Sequence, residues 1–176
     1  MKRKNIALRI INFLREHGGI REVSQVKFAG YIKCHHSSVY TTLVRLKENR
    51  VVMEIDKNKN LYVLNESFIS VAEIVVEYLS KYPEGAPINA KAFSQNKGMN
   101  TMLLGIVLQK FNDLGVVCLI DKISVKDPPE YKLLVEDSKI WRDLFEPKTN
   151  FILCKKLFHT LDNHRGCCII FRSCYT

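Results

Sequence analysis

The sequence lacks long apolar runs and cysteine pairs of the CxxC type. Its basic start, residues 1–5, is followed by the broken apolar pattern of a water-soluble helix, so we expect neither a secretory signal nor a membrane span. The six cysteines are scattered, which makes a disulfide framework or a zinc ribbon a poor fit. We therefore expect an intracellular protein with mostly free thiols, located in the cytoplasm with the nucleoid or in a nucleus.

The short motifs of common enzyme sites are also missing. The sequence contains no GxxxxGK[ST], GxGxxG, HExxH or GxSxG, and the order and spacing of Ser, His and Asp indicate no nucleophile paired with a base. We therefore expect a protein that is not an enzyme and that needs no cofactor.

Two groups of cysteine and histidine have side chains that suit zinc. The first is Cys34-His35-His36, but adjacent residues on a turn seldom converge on one ion. The second group lies near the C-terminus and its spacing matches no known zinc finger. Its members are Cys154, His159, His164, Cys167 and Cys168. We predict buried or terminal thiols and no metal site, with zinc at the C-terminal group as the alternative.

Basic residues outnumber acidic ones and gather in the first third of the chain. The 176 residues include 27 Lys and Arg against 18 Asp and Glu, a net charge of +9. Residues 1–65 have a balance of +8 (13 basic, 5 acidic), residues 66–137 of −3 (7 basic, 10 acidic) and residues 138–176 of +4 (7 basic, 3 acidic). The first segment is therefore the candidate for contact with a polyanion such as nucleic acid.

Apolar positions repeat along the chain at a spacing of 65 residues, which we call the repeat offset. At this offset Leu43 falls on Leu108, Val51-Val52 on Val116-Val117, and Ile55-Asp56-Lys57 on Ile120-Asp121-Lys122. Such agreement over about 50 residues favours two copies of one supersecondary unit. With 47% hydrophobic residues, the chain can bury the cores of two small domains.

The first copy has the pattern of three helices followed by a hairpin. Helical spacing predicts a first helix that ends at Gly18-Gly19, a short second helix within residues 23–32, and a third over residues 37–49. Alternating apolar residues then predict two strands around a turn at residues 57–60.

The segment from Phe28 to Val52 resembles the winged helix-turn-helix family. The apolar positions that carry the resemblance are Ala29, Ile32, Val39, Leu43, Leu46, Val51 and Val52. Two residues depart from it, because Lys33 and Arg50 stand where the family often has glycine. The resemblance extends over both copies, to about residue 135, and Gly115 fits the family pattern in the second.

The resemblance implies a DNA-reading helix in the first copy. An α-helix fits the major groove of B-DNA, and polar side chains on it can contact base edges while nearby cations neutralise phosphates. The implied contacts on the third helix are His36, Ser37, Ser38, Tyr40, Thr41 and Arg45. Lys57 and Lys59 on the hairpin tip, and a basic arm of Lys2, Arg3 and Lys4, complete the expected DNA-binding set.

The matching helix of the second copy has apolar residues where the first has polar ones. Met102, Leu103 and Ile106 would lose the free energy of apolar burial if they faced water, so we expect a partner, a second protomer or the C-terminal helix to cover them. The acidic balance of this segment also opposes phosphate binding. Beyond it, helices are expected at residues 140–145 and 151–161.

We therefore expect an α+β fold, mainly helical with small β-hairpin wings. It would comprise a winged-helix DNA-binding domain (residues 1–66), a second winged-helix domain for self-association or partner binding (residues 67–137) and a C-terminal helical extension (residues 138–176). The expected function is a sequence-specific transcriptional regulator that binds double-stranded DNA as a homodimer. The alternatives are a plasmid or viral replication or partition factor, and a tandem winged-helix scaffold that binds only proteins.

Overall fold

The computed structural model of the chain describes residues 5–120, 127–135 and 137–148. These residues form α-helices and two three-stranded antiparallel sheets, a mixed architecture compatible with the winged-helix fold. In this part of the chain, no helix is both long and apolar enough to cross a membrane.

Residues 5–64, which we call the first unit, follow the element order expected from the sequence, with one extra strand. The elements are α1 (Ile6–Glu16), β1 (Ile20–Glu22), α2 (Gln25–Ile32), α3 (His36–Glu48), β2 (Val52–Asp56) and β3 (Leu61–Leu64). The sheet order is β1-β3-β2. The core forms because Leu14, Ile32 and Leu43 lie on the inner faces of three helices, each at most 1% exposed.

Residues 65–135, the second unit, repeat this order. The elements are α4 (Asn65–Leu79), β4 (Ala86–Pro87), α5 (Ala90–Lys97), α6 (Thr101–Asp113), β5 (Val117–Ile120) and β6 (Glu130–Leu133), and α7 (Lys139–Phe145) follows. The sheet order is β4-β6-β5, with Leu119 opposite Tyr131. The helix expected at residues 140–145 is thus present, and the one expected at 151–161 lies outside the described residues.

The helices α5 and α6 begin and end at the positions that the repeat offset assigns to the bounds of α2 and α3. The turns match as well, because Lys33 and Arg50 have left-handed φ angles of 53° and 54°, and their counterparts Gly98 and Gly115 have 64° and 68°. Lys33 and Arg50 are the two residues that depart from the family's glycines. The geometry of the turns is therefore retained without glycine, at a cost in backbone strain.

Two short strands were not expected from the sequence. β1 pairs with β3 through Ile20 and Val63, and β4 pairs with β6 through Ala86 and Tyr131. Strands of three and two residues are too short for an alternating pattern to show. The expected domain boundary at residues 66 and 67 lies in the first turn of α4, which follows β3 with no linker between them.

The two units are packed against each other. Ile20 and Val63 of the first unit belong to the same hydrophobic cluster as Phe68 and Leu103 of the second. A salt bridge of 2.8 Å joins Arg15 Nε to Glu66 Oε1 at the edge of this contact. The apolar face of the second unit is therefore covered in part by the first.

α7 packs across the junction of the two units. Its Trp141 and Phe145 are buried, with ring centroids 5.0 Å from Phe111 and 4.3 Å from Phe68, respectively. Asn65 Nδ2 donates a hydrogen bond of 2.8 Å to the carbonyl oxygen of Phe145. On the side of the first unit, Arg50 Nη1 donates to the carbonyl oxygen of Asp143 at 2.7 Å. α7 therefore contacts both units.

Candidate nucleic-acid interface

The outer face of α3 is polar and open to solvent. His36, Ser37, Tyr40, Thr41 and Arg45 are exposed and Ser38 is partly buried. The inner face of the same helix is closed, because Val39, Leu43 and Leu46 are at most 1% exposed. The helical spacing that buries these three residues places the six expected contact residues on the other sides of the helix. α3 therefore presents a polar surface that a nucleic acid could reach.

The first turn of α3 is capped by His35, which sequence reasoning did not assign to the site. Its Nδ1 accepts the backbone N–H of Ser37 at 3.3 Å and lies 2.7 Å from the Ser37 hydroxyl. Because Nδ1 accepts the N–H of Ser37, a neutral ring carries its proton on Nε2. The centroids of the His35 and His36 rings are 4.4 Å apart with the ring planes tilted by 33°, so the start of the helix carries two adjacent imidazoles.

The two threonine hydroxyls on α3 are bonded to their own helix. Thr41 Oγ1 donates to the carbonyl oxygen of Ser37 at 2.9 Å, and Thr42 Oγ1 donates to that of Ser38 at 2.7 Å. A hydroxyl that donates inward still offers lone pairs outward. Toward a groove these residues therefore present acceptors, which suit the exocyclic amino groups of adenine and cytosine.

The tip of the β2–β3 hairpin is built by Asp56. Its Oδ1 accepts the backbone N–H groups of Asn58 at 2.9 Å and Lys59 at 3.1 Å, and Asn60 closes the turn at a φ of 50°. Lys57 and Lys59 are exposed on this tip, in the turn predicted from the sequence. Lys59 Nζ lies 3.6 Å from Asp56 Oδ2, so part of its charge is balanced within the hairpin.

A polar group connects α3 to the hairpin. Lys47 Nζ lies 2.7 Å from Glu54 Oε2, and the Tyr62 hydroxyl donates to Glu54 Oε1 at 2.9 Å. The hydrogen bond from Lys47 holds the pKa of the Glu54 carboxyl below its ordinary value, despite partial burial. Burial, together with the bond to Glu54, raises the pKa of the Tyr62 hydroxyl. The side chains of Lys47, Glu54 and Tyr62, which we call the brace, join α3 to the β2–β3 hairpin. These are the two elements that hold the expected contacts.

In α6, the counterpart of α3, the N-cap Asn100 and the buried Leu103 lie against the first unit. A Cβ atom placed on Gly18 would be 3.3 Å from Nδ2 of Asn100, the residue that caps α6. Leu103, in the first turn of the helix, is 1% exposed. The loop between α1 and β1 therefore approaches the end of α6 that corresponds to the open end of α3.

The sequence predicted that a partner, a second protomer or the C-terminal helix would cover Leu103, and the structure shows a cover that was not among these, the first unit. Leu103 is buried within the chain, in the cluster that holds Ile20 and Val63 of the first unit. Ile106 is half-buried against the same cluster. Met102 is the one of the three that stays open, at 58% exposure. The apolar character of α6 is thus explained largely by contact inside this chain.

Two further exposed residues lie near α3 and were not among the contacts expected from the sequence. Tyr31 is 78% exposed at the end of α2, and Lys33 is exposed on the turn that leads into α3. Tyr40 on α3 is 55% exposed. In the sequence, only their position beside the turn between α2 and α3 marks Tyr31 and Lys33 as candidate contacts, because neither belongs to a recognisable motif.

The expected basic arm, Lys2, Arg3 and Lys4, lies outside the described residues, as does the C-terminal group of cysteine and histidine. Cys34 and Cys118 are free thiols, both partly buried. Residues 5–120, 127–135 and 137–148 contain no group of three His, Cys, Asp or Glu side chains placed to hold a metal ion.

Neither a family profile nor a curated protein matches this sequence. Among solved structures, the chain is similar to the mRNA-binding domain of elongation factor SelB from E. coli, solved in complex with SECIS RNA. The similarity covers 74% of this chain and 98% of the other, with 14% identity and a TM-score of 0.44.

Proposed function

We propose that this chain binds double-stranded DNA through the outer face of α3 and the tip of the β2–β3 hairpin. In this proposal the two units are tandem winged-helix domains, and the protein is a sequence-specific transcriptional regulator. The observation that carries the proposal is the contrast between α3 and α6. Ser37, Ser38 and Thr41 give α3 a polar outer face. The corresponding residues of α6 are Met102, Leu103 and Ile106, and Leu103 is buried against the first unit.

The width of the nucleic acid's major groove favours DNA over double-stranded RNA as the partner. A protruding helix enters the major groove of B-DNA, which is about 12 Å wide, but the major groove of A-form RNA is too narrow for side chains to read. The exposed cations Arg45, Lys57 and Lys59 lie on the two elements that would contact such a groove and its flanking phosphates. The charge balance of +8 over residues 1–65 favours a nucleic acid of either kind as the partner.

Self-association through the second unit completes the proposal. Several of its apolar side chains, and two on α7, are open to solvent in the single chain, and a second protomer would cover them. The most exposed are Met102, Leu114, Leu119, Leu134, Ile140 and Leu144. A homodimer would place two copies of α3 about one turn of DNA apart and would bind a site with two-fold symmetry.

A replication or partition factor would use the same DNA-binding surface, so it is a variant of this proposal. A scaffold that binds only proteins is the second candidate, and the exposed apolar residues of the second unit favour it. The two candidates differ in their response to salt.

A gel-shift titration of the full chain with a random duplex pool tests the proposal. If each protomer neutralises about 4 to 6 phosphates, log K should fall against log salt with a slope of about −4 to −5. An RNA duplex of the same length should bind more weakly. Failure to retard any duplex at low salt would contradict DNA binding and favour the scaffold.

A further inference from the structure

We infer that Glu54 is a positioning residue that fixes the hairpin relative to α3, so that both elements meet the DNA in one register. The inference rests on the proposed DNA binding. Its basis is the brace, in which one carboxylate bonds to Lys47 in the last turn of α3 and to Tyr62 on β3.

The side chains of the brace are buried or partly buried, which favours one fixed arrangement of the three groups. Tyr62 is 3% exposed, and the side chains of Lys47 and Glu54 are 34% and 22% exposed. Both carboxylate oxygens are used, one by each partner, so rotation of the carboxylate would break at least one bond. Charged hydrogen bonds in such a setting are stronger and more directional than exposed ion pairs.

The second unit lacks this arrangement at the corresponding positions. At the repeat offset, Asn112 and Leu119 stand in the places of Lys47 and Glu54, and Leu119 is 50% exposed. Asn112 Oδ1 accepts the backbone N–H of Leu119, at 3.3 Å, and Tyr131 occupies the place of Tyr62 on the paired strand. The carboxylate is thus present in the unit proposed to bind DNA and is replaced by an exposed leucine in the other.

The brace also limits the charge of the surface. Glu54 balances Lys47, so removing the carboxylate raises the net charge of this region by one while it releases the hairpin. These two effects act in opposite directions on DNA binding. Electrostatic attraction to any sequence should be kept or rise, whereas discrimination between sequences should fall.

The test is one round of selection from a random duplex pool with the full chain, comparing the wild type with Glu54→Gln. The amount of pool retained reports total binding, and the enrichment of the best sequences reports discrimination. We expect Glu54→Gln to retain at least as much pool as the wild type but to enrich the best sequences about five- to tenfold less, comparable with the loss of one base contact.

Glu77→Gln is the matched control. It makes the same change of charge on the exposed side of α4, where Glu77 Oε1 bonds Lys81 Nζ at 3.0 Å, and it should leave enrichment unchanged. Tyr62→Phe removes one bond of the brace without changing the charge and should reduce enrichment by a smaller factor than Glu54→Gln does. Trp141 fluorescence during urea unfolding monitors the folding of each variant.

The results distinguish a failure of the inference about Glu54 from a failure of the proposed DNA binding. Unchanged enrichment by Glu54→Gln, with wild-type binding intact, would overturn the inference and leave the proposed function standing. A parallel loss of retained pool and enrichment would show a merely structural role and would also overturn it. If the wild type retained no duplex, the proposed function would fail and the inference with it.

Discussion

Gly19 lies so close to Ser67 that a Cβ atom on Gly19 would overlap the Ser67 side chain. Gly19 also has a left-handed φ of 84°, and Leu103 of α6 lies on the same side at 3.8 Å from the Cβ position. The two units therefore meet at a point where only glycine fits both the space and the backbone.

Gly19→Ala should destabilise the protein, because the added methyl strains the backbone and pushes the units apart. We expect a loss of about 2–3 kcal/mol in the free energy of unfolding, measured by urea titration. Gly105→Ala is the control, since Gly105 is in α6 with open space around its Cβ position, and it should gain about 0.5–1 kcal/mol. Equal effects at the two positions would contradict the close contact.

Substitutions at the corresponding turn residues Lys33 and Gly98 should have opposite effects on the free energy of unfolding. Lys33→Gly should stabilise the first unit by about 0.5–1 kcal/mol, because glycine adopts the left-handed conformation without strain. Gly98→Ala should destabilise by about 1 kcal/mol, although its Cβ position is empty. Urea unfolding of both variants measures the difference, and a destabilised Lys33→Gly would show that Lys33 is held by contacts rather than strained.

The sequence predicted the helices of the first unit well, because amphipathic spacing such as that of Val39, Leu43 and Leu46 depends only on local geometry. The repeat offset also matched the bounds of α2 and α3 to those of α5 and α6. The packing of one unit on the other could not be predicted, because it depends on residues far apart in sequence. For this reason the sequence did not predict that the first unit covers Leu103, although Gly19 lies beside it.

The candidate site was predicted in part. The exposure of His36, Thr41 and Arg45 agrees with the expected polar side of α3, and their contact with DNA stays a prediction. His35 was missed because asparagine, serine or aspartate is the usual N-cap, and a histidine gives no such signal. The brace was missed because its three members lie on three elements.

His35 and Asn100 are the N-caps of the corresponding helices α3 and α6, which makes their exchange informative. His35→Asn should keep the stability of the protein or raise it slightly, because the carboxamide can accept the N–H groups that Asn100 accepts in α6. His35→Ala should lose about 1 kcal/mol. Thermal unfolding measures both, and equal losses in the two variants would show that capping is not the role of His35.

The lowered pKa of the Glu54 carboxyl predicts how the brace responds to acid. Because the folded pKa lies below the ordinary value of 4.5, the stabilisation is complete above pH 4.5 and is lost as the pH falls through the folded pKa. The difference in stability between the wild type and Glu54→Gln should therefore be largest near pH 6 and shrink below pH 4.5. Urea titrations at pH 6 and pH 3.5 measure it, and a difference that grows in acid would contradict the assignment.

The central claim is that α3, and not its counterpart α6, contacts DNA. Arg45 and Lys110 occupy corresponding positions in the two helices, so each provides the control for the other. The most direct measurement is the affinity of Arg45→Ala and Lys110→Ala for one duplex at two salt concentrations. We predict that Arg45→Ala binds about tenfold more weakly, with a salt slope shallower by about one, and that Lys110→Ala binds within about twofold of the wild type. Equal weakening by the two substitutions, or weakening by Lys110→Ala alone, would contradict the account.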